Sequence, residues 1–213
     1  IKGLIQHYFR VGKVRGKSLA PMSQNTLLGT GYAEAGSWYI RKGYVVENGV
    51  RQRRIVENRP AFEAIDFFEI FPHPNKRTVD DELPLFRRYF VGEEALKKLT
   101  ENPFFKFDLL KEALESDCPV QDESVDYDDE KSKRYEVLQY WGPYDYSYSE
   151  RNAKGEEETK TDVAVPHWCI VINRKVLLRH GPNPYNHQRA PYVKMNLFPD
   201  VRPSWFGVGV GKI

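Results

Sequence analysis

Tyr44-Val45-Val46-Glu47-Asn48-Gly49-Val50 is the stretch on which the reading of the fold turns. Asn-Gly between β-rich arms favours a type I′ turn, because both central residues need positive φ, and it therefore predicts a β-hairpin. The return arm, Arg51 to Val56, carries Arg51, Arg53 and Arg54. On the N-terminal side, residues 1–20 hold five basic residues (Lys2, Arg10, Lys13, Arg15, Lys17) and no acidic one. Leu4, Ile5, Tyr8 and Phe9 fall at helical spacing, which predicts the end of a helix running into a basic loop. Leu27 to Tyr32, with Gly29 and Gly31, reads as a turn entering a strand.

On the C-terminal side, Ala64 to Phe71 predicts a buried strand ended by Pro72 and Pro74. Glu93 to Thr100 predicts a short helix with Ala95, Leu96 and Leu99 on one face, and Phe104 to Leu114 a second. Asp122 to Glu130 holds six acids and no base, a solvated loop. The period then changes to alternation: Arg134 to Tyr146 is a strand, and Ser149 to Asp162 is a charged hairpin tip. Val163 to Ile172 returns, Asn173-Arg174 turns, Val176 to Arg179 pairs back, Pro182 and Pro184 make a loop, and Tyr192 to Phe198 is the last strand. The fold class is α+β: antiparallel hairpin-rich sheets with two short helices inserted. We read one domain over 1–213, in three consecutive parts. Residues 1–59 are basic and hairpin-forming, 60–116 hold a strand and two helices, and 134–213 are antiparallel hairpins.

The composition of the 213 residues excludes several classes. Lys and Arg number 32 against 30 Asp and Glu, a net charge of +2 that does not announce a nucleic-acid binder. Two cysteines, Cys118 and Cys169, are too few for a disulfide scaffold or a four-cysteine zinc site. No stretch approaches the ~18 apolar residues of a transmembrane helix. The chain opens Ile1-Lys2-Gly3 and stops at Gly211-Lys212-Ile213, without initiator Met, signal pattern or helix stop. It reads as a fragment of a larger chain.

Each constellation with chemical potential has a plainer reading. Gly207-Val208-Gly209-Val210-Gly211-Lys212 places Phe206 at the first glycine of a phosphate loop and Ile213 at its hydroxyl position, so a close-packed turn is expected instead. His167, His180 and His187 with Asp200 lack the spacing of known metal sites, and His73 between two prolines is a turn residue. Asp145 with Glu158-Thr159-Lys160 has the residue types of a metal-dependent nuclease, but beside a hairpin tip full of Glu. His167 and Cys169 share a strand face, where a buried free Cys is the cheaper explanation. No catalytic, metal or cofactor site is assigned. The basic clusters Lys13, Arg15, Lys17 and Arg51, Arg53, Arg54 are candidates for phosphate or subunit contacts, and any phosphate contact would be blind to sequence. The run Tyr140-Trp141-Gly142-Pro143-Tyr144-Asp145-Tyr146-Ser147-Tyr148 is the candidate for an alternative function, a carbohydrate-binding β-rich domain with exposed rings.

Several stretches, taken in order, resemble the portal (head-to-tail connector) proteins of short-tailed double-stranded DNA bacteriophages. They are Asp66-Phe67-Phe68-Glu69-Ile70-Phe71-Pro72-His73-Pro74 with Thr78-Val79-Asp80-Asp81, then Arg87 to Leu99, then Tyr135 to Gly142, then Val171 to Arg179. Asn183-Pro184-Tyr185, Ala190-Pro191-Tyr192-Val193 and Trp205-Phe206-Gly207-Val208-Gly209 are similar to the family's approach to its stem helix. The likeness covers residues 60–213 well and 1–59 loosely, and His73 and Asn75 stand where an acidic residue is common. It implies the wing region of a non-enzymatic subunit without cofactor, in a twelve-fold ring of identical subunits at the capsid vertex of a virion. The implied partners are the terminase motor, capsid and tail or adaptor proteins, and double-stranded DNA passing through, with no membrane. Assembly in the host cytoplasm is implied too. Opposite charge further suggests that the basic 41–59 hairpin meets the acidic 122–130 loop of a neighbour.

Overall fold

A computed structural model describes residues 2–47, 50–79, 81–99, 107–119, 133–151, 157–198 and 204–210. The described chain is α+β with wholly antiparallel sheets. Its contacts gather in two compact units, 1–68 with 191–213 and 69–190, rather than in the three consecutive parts read from the sequence.

The first unit begins with helices α1 (Lys2–Val11), α2 (Val14–Lys17) and α3 (Leu19–Leu28). The basic loop expected after α1 is therefore a helical turn followed by a further helix. The breaks are local: Gly12-Lys13 is a turn in which Lys13 takes a left-handed φ of 52°, and Lys17 N–H bonds back to Lys13 O at 3.1 Å. Gly29, at φ 87°, closes α3 in the left-handed conformation that glycine adopts freely. Strands β1 (Thr30–Glu47) and β2 (Val50–Ile65) then pair from Tyr32↔Ile65 to Glu47↔Val50. That register leaves two residues for the connection, in keeping with a hairpin centred on Asn48-Gly49, which themselves lie outside the described residues. The later strand β8 (Tyr192–Asn196) pairs with the first five residues of β1, giving the order β2-β1-β8.

The expected strand over Ala64–Phe71 is broken. Asp66 Oδ1 accepts the Phe68 N–H at 2.8 Å and starts a 3-10 turn, Phe67–Glu69. A short polar side chain here competes with the ladder for a backbone donor. Strand β3 (Ile70–Pro72) follows, with its end at Pro72 as expected.

The second unit is a five-stranded sheet, β3-β4-β5-β6-β7, with β4 (Leu85–Gly92), β5 (Arg134–Arg151), β6 (Glu157–Ile172) and β7 (Val176–Pro182). The two inserted helices are α4 (Glu93–Leu99) and α5 (Phe107–Glu115). Phe104, Phe105 and the acidic stretch 122–130 lie outside the described residues. Leu96, Leu110 and Ala113 from the helices pack on Tyr135, Val137, Ile170, Ile172 and Leu178. Each fully buried aliphatic side chain there contributes roughly 1.5–3 kcal/mol. Asn173 and Arg174, both at positive φ, make the β6–β7 turn where the sequence placed it.

Candidate functional site

The first unit's core shows what the glycine run is for. Trp205 Nε1–H donates to the Tyr32 hydroxyl at 2.6 Å, the rings stack at 6.4 Å, and Gly207 N–H donates to Thr30 Oγ1 at 2.7 Å. Burial pushes the Tyr32 phenol up, against the opposing hydrogen bond from Trp205. A side chain at Gly207 would place its first carbon 2.3 Å from the Gly29 carbonyl oxygen. The glycines thus let two backbones meet, as a close-packed turn, while Gly211, Lys212 and Ile213 lie outside the described residues.

The basic candidates Lys13, Arg15, Lys17, Arg51, Arg53 and Arg54 all fall in this unit, but they are not equivalent. Lys17 is paired with Glu63. Arg54 makes a two-pronged bond to Glu47, 2.5 Å on each oxygen. Lys13 and Arg15 are exposed at the break between α1 and α3. Arg51 lies over the Tyr44 ring at 4.1 Å, and Arg53 is Tyr44's register partner. Among the described residues no carboxylate pairs with Arg51 or Arg53.

Register sorts these residues by face, since directly opposed residues and alternate residues point the same way. Tyr44 and Val46 share one face of the ribbon with Ile55, Arg53 and Arg51; Val45 and Glu47 share the other with Gln52 and Val50. Tyr44 is 62% exposed, Val46 67% and Ile55 55%. The outer half of the ribbon is therefore an uncovered surface combining apolar groups with two unneutralised cations.

In the second unit a cleft of about 300 Å³ is lined by Lys76, Asp81, Leu85, Trp141, Asn183 and His187. Three of its polar side chains, those of Lys76, Asp81 and Asn183, are bonded to the surrounding loops. The buried Lys76 ammonium donates to the carbonyls of Leu83 (2.8 Å) and Asp81, and the Asp81 carboxylate accepts the N–H groups of Thr78 and Arg77 at 2.7 and 2.6 Å. Those bonds, that of Thr78 foremost, hold the Asp81 carboxyl down at about 2. Asn183 Oδ1 accepts the Tyr185 N–H at 3.0 Å, and its amide donates to Arg189 O at 3.1 Å.

The remaining constellations are pulled apart by their neighbours. His167 is buried with Nδ1 2.9 Å from Val165 O; its ring lies 5.4 Å from that of His180, and Tyr144 packs on both. His187 stacks on Tyr185 instead, and Asp200 lies outside the described residues. No group of three or more His, Cys, Asp or Glu among the described residues is placed to hold a metal. His73 sits in a turn, accepting the Asn75 N–H. Burial pushes the Cys169 thiol up, the opposite of what a thiolate nucleophile requires. Lys160 is bonded to Glu150 at 2.6 Å, whereas Asp145 caps the Ala164 N–H at 2.9 Å, so the nuclease trio is not assembled around these two; the Glu158 side chain lies outside the described residues.

The aromatic run divides between the two faces of β5. Trp141 is buried, stacked on Trp168 at 4.8 Å, while Tyr140 packs on Phe86 at 5.2 Å and Tyr144 is exposed. One site went unread in the sequence. The fully buried Glu136 carboxylate accepts bonds from Arg88 Nε (2.6 Å) and Arg174 Nε (2.8 Å), and Asn173 Oδ1 accepts its backbone N–H at 2.8 Å. A charged residue inside an alternating strand, 38 positions from its turn partner, offered no local signal. No protein-family model matches this chain, and no curated protein does.

Proposed function

We propose that the chain is the wing part of a structural subunit of a bacteriophage portal, a ring through which double-stranded DNA enters and leaves the capsid. The observation that carries this reading is the outer β1–β2 ribbon. A lone two-stranded ribbon is marginal in water, and clustered exposed apolar groups mark a surface that another molecule covers. Helix α1 adds Leu4, Ile5 and Phe9, all exposed. Rings of identical chains use heterologous contacts, in which one patch meets a different patch of the next copy, and such contacts suit these surfaces. The order of strand, proline and turn that resembles portal wings supports the same reading. No described helix is long and apolar enough to cross a membrane. The place of action on this reading is the capsid vertex of the virion, reached by assembly in the host cytoplasm. The partners are identical subunits, the terminase motor, capsid and tail or adaptor proteins, and double-stranded DNA passing through without regard to sequence. The reading assigns the chain no catalysis and no cofactor.

The carbohydrate-binding alternative draws less support, because Trp141 is buried and the Tyr140 hydroxyl is bonded to Pro143 O at 2.6 Å. Negative-stain electron microscopy of the polypeptide that carries this chain is expected to show rings with a central hole and twelve-fold symmetry. Discrete monomers at every concentration and salt would overturn the portal reading. Saturable quenching of tryptophan fluorescence by sugars would then favour the alternative.

A further inference from the structure

We infer that the ribbon face formed by Tyr44, Val46, Arg51, Arg53 and Ile55 receives the acidic segment 122–130 of a second copy of this chain. The inference rests on the subunit reading above and names the contact that reading leaves open.

Lys17, Arg54 and Arg59 each have a carboxylate partner within the unit, in Glu63, Glu47 and Glu57. Arg51 and Arg53 stand on the one ribbon face where no carboxylate among the described residues answers them. Arg51 is held in place over Tyr44, so its charge is presented beside an aromatic ring rather than on a wandering side chain. That arrangement selects a partner that is both anionic and apolar. A nucleic-acid backbone would satisfy the two guanidinium groups and leave Tyr44, Val46 and Ile55 against water or phosphate. A peptide bearing carboxylates and apolar groups together satisfies both requirements. This chain contains such a peptide: Asp122-Glu123-Ser124-Val125-Asp126-Tyr127-Asp128-Asp129-Glu130 has six carboxylates, no base, and Val125 and Tyr127 set between them. Two different patches of one sequence, complementary in charge and in apolar content, are what a head-to-tail contact between identical copies requires. With a Debye length of about 10 Å at 0.1 M salt, the exposed ionic part of the contact weakens as salt rises.

The test uses the full polypeptide with Val46→p-benzoylphenylalanine, prepared in isotopically light and heavy forms, mixed and irradiated. Mixed-label crosslinks from position 46 into residues 122–130 are the expected result, with yield falling as salt is raised. Arg51→Glu with Arg53→Glu should abolish them, and adding Asp122→Lys, Asp126→Lys, Asp128→Lys and Glu130→Lys, which leaves only Glu123 and Asp129 acidic and makes the segment net positive, should restore them. Circular dichroism of each variant confirms that the exposed ribbon changes leave the fold intact. Crosslinks confined to one label would place the segment of the same chain on the ribbon and overturn the inference. So would crosslinks to another region or to added duplex DNA, no crosslinks at all, or crosslinks that survive the double charge reversal. Rings without this crosslink would defeat the contact and leave the portal reading standing. Mixed-label crosslinks without rings would do the reverse.

Discussion

The β1–β2 and β5–β6 hairpins are built to the same lengths, strands of 18 and 16 residues in each. Their fates differ. On the inner half of β5–β6, Tyr135, Val137, Ile170 and Ile172 are buried under α4 and α5, and β4 and β7 pair along the flanks as far as Trp141 and His167, beyond which the two strands pair only with each other. On β1–β2, pairing with β8 reaches only Thr30 to Glu34, and the outer residues Tyr44, Val46 and Ile55 stay in solvent. The difference teaches that alternation declares a face without saying what covers it. A covered face becomes core; an uncovered one keeps its apolar groups and cations in solvent.

The largest effect expected from this contrast is at Trp141. Its removal as Trp141→Ala should cost about 3–5 kcal/mol in urea unfolding, the range for deleting a large buried ring, whereas Tyr44→Ala on the ribbon should stay within about 0.5 kcal/mol. Equal costs would abolish the distinction between core hairpin and arm. Next is Glu136→Gln, which keeps the shape and removes the charge facing Arg88 and Arg174. We expect a loss of about 1.5–3 kcal/mol, as for hydrogen bonds to charged groups, reduced by salt but not removed, because the carboxylate is fully buried while Arg88 and Arg174 reach solvent. A cost that vanished in 0.5 M salt would mark the node as an ordinary surface pair.

In the first unit, Gly207→Ala should cost about 1–3 kcal/mol, since its new carbon meets the backbone oxygen of Gly29 and not a movable side chain. Thermal unfolding of the variant measures this, and an unchanged midpoint would show that the junction yields. The smallest effect is the pH response at Asp81. Its carboxyl is depressed to about 2 in the folded chain, so its contribution is complete above the ordinary carboxylate range and is lost as pH falls through about 2. Protection of the Thr78 and Arg77 amides in hydrogen exchange should fall with it, and Asp81→Asn should show the weakened protection at every pH.

Much of the fold was legible because its signals are local. The Asn-Gly pair, the alternation from Arg134 onward, the turn at Asn173-Arg174 and the amphipathic spacing in Glu93 to Leu99 each report a backbone preference within a few residues. Two readings failed where a local interaction redirected the backbone, once through a side chain and once through a left-handed turn. Asp66 captured an amide and cut one expected strand into the end of β2, a 3-10 turn and β3; Gly12-Lys13 ended one helix and let two more follow. Among the basic candidates, residue type alone ranked Lys17 and Arg54 with Arg51 and Arg53. Only the cross-strand and helix-to-strand partners, Glu47 and Glu63, separated those already neutralised from those still available.

The sequence by itself determined the α+β class, the antiparallel hairpins and the Asn173-Arg174 turn, because propensity and period act over neighbouring residues. Tertiary structure decided that the strands divide between a three-stranded and a five-stranded sheet, and that β8 returns to pair with β1 across more than 150 positions. It also decided that Glu136 is buried among arginines and that the glycine run serves backbone contact. These outcomes depend on which distant groups come to lie within a few ångströms, and burial, ion pairing and close packing take their energies from that proximity, not from order along the chain.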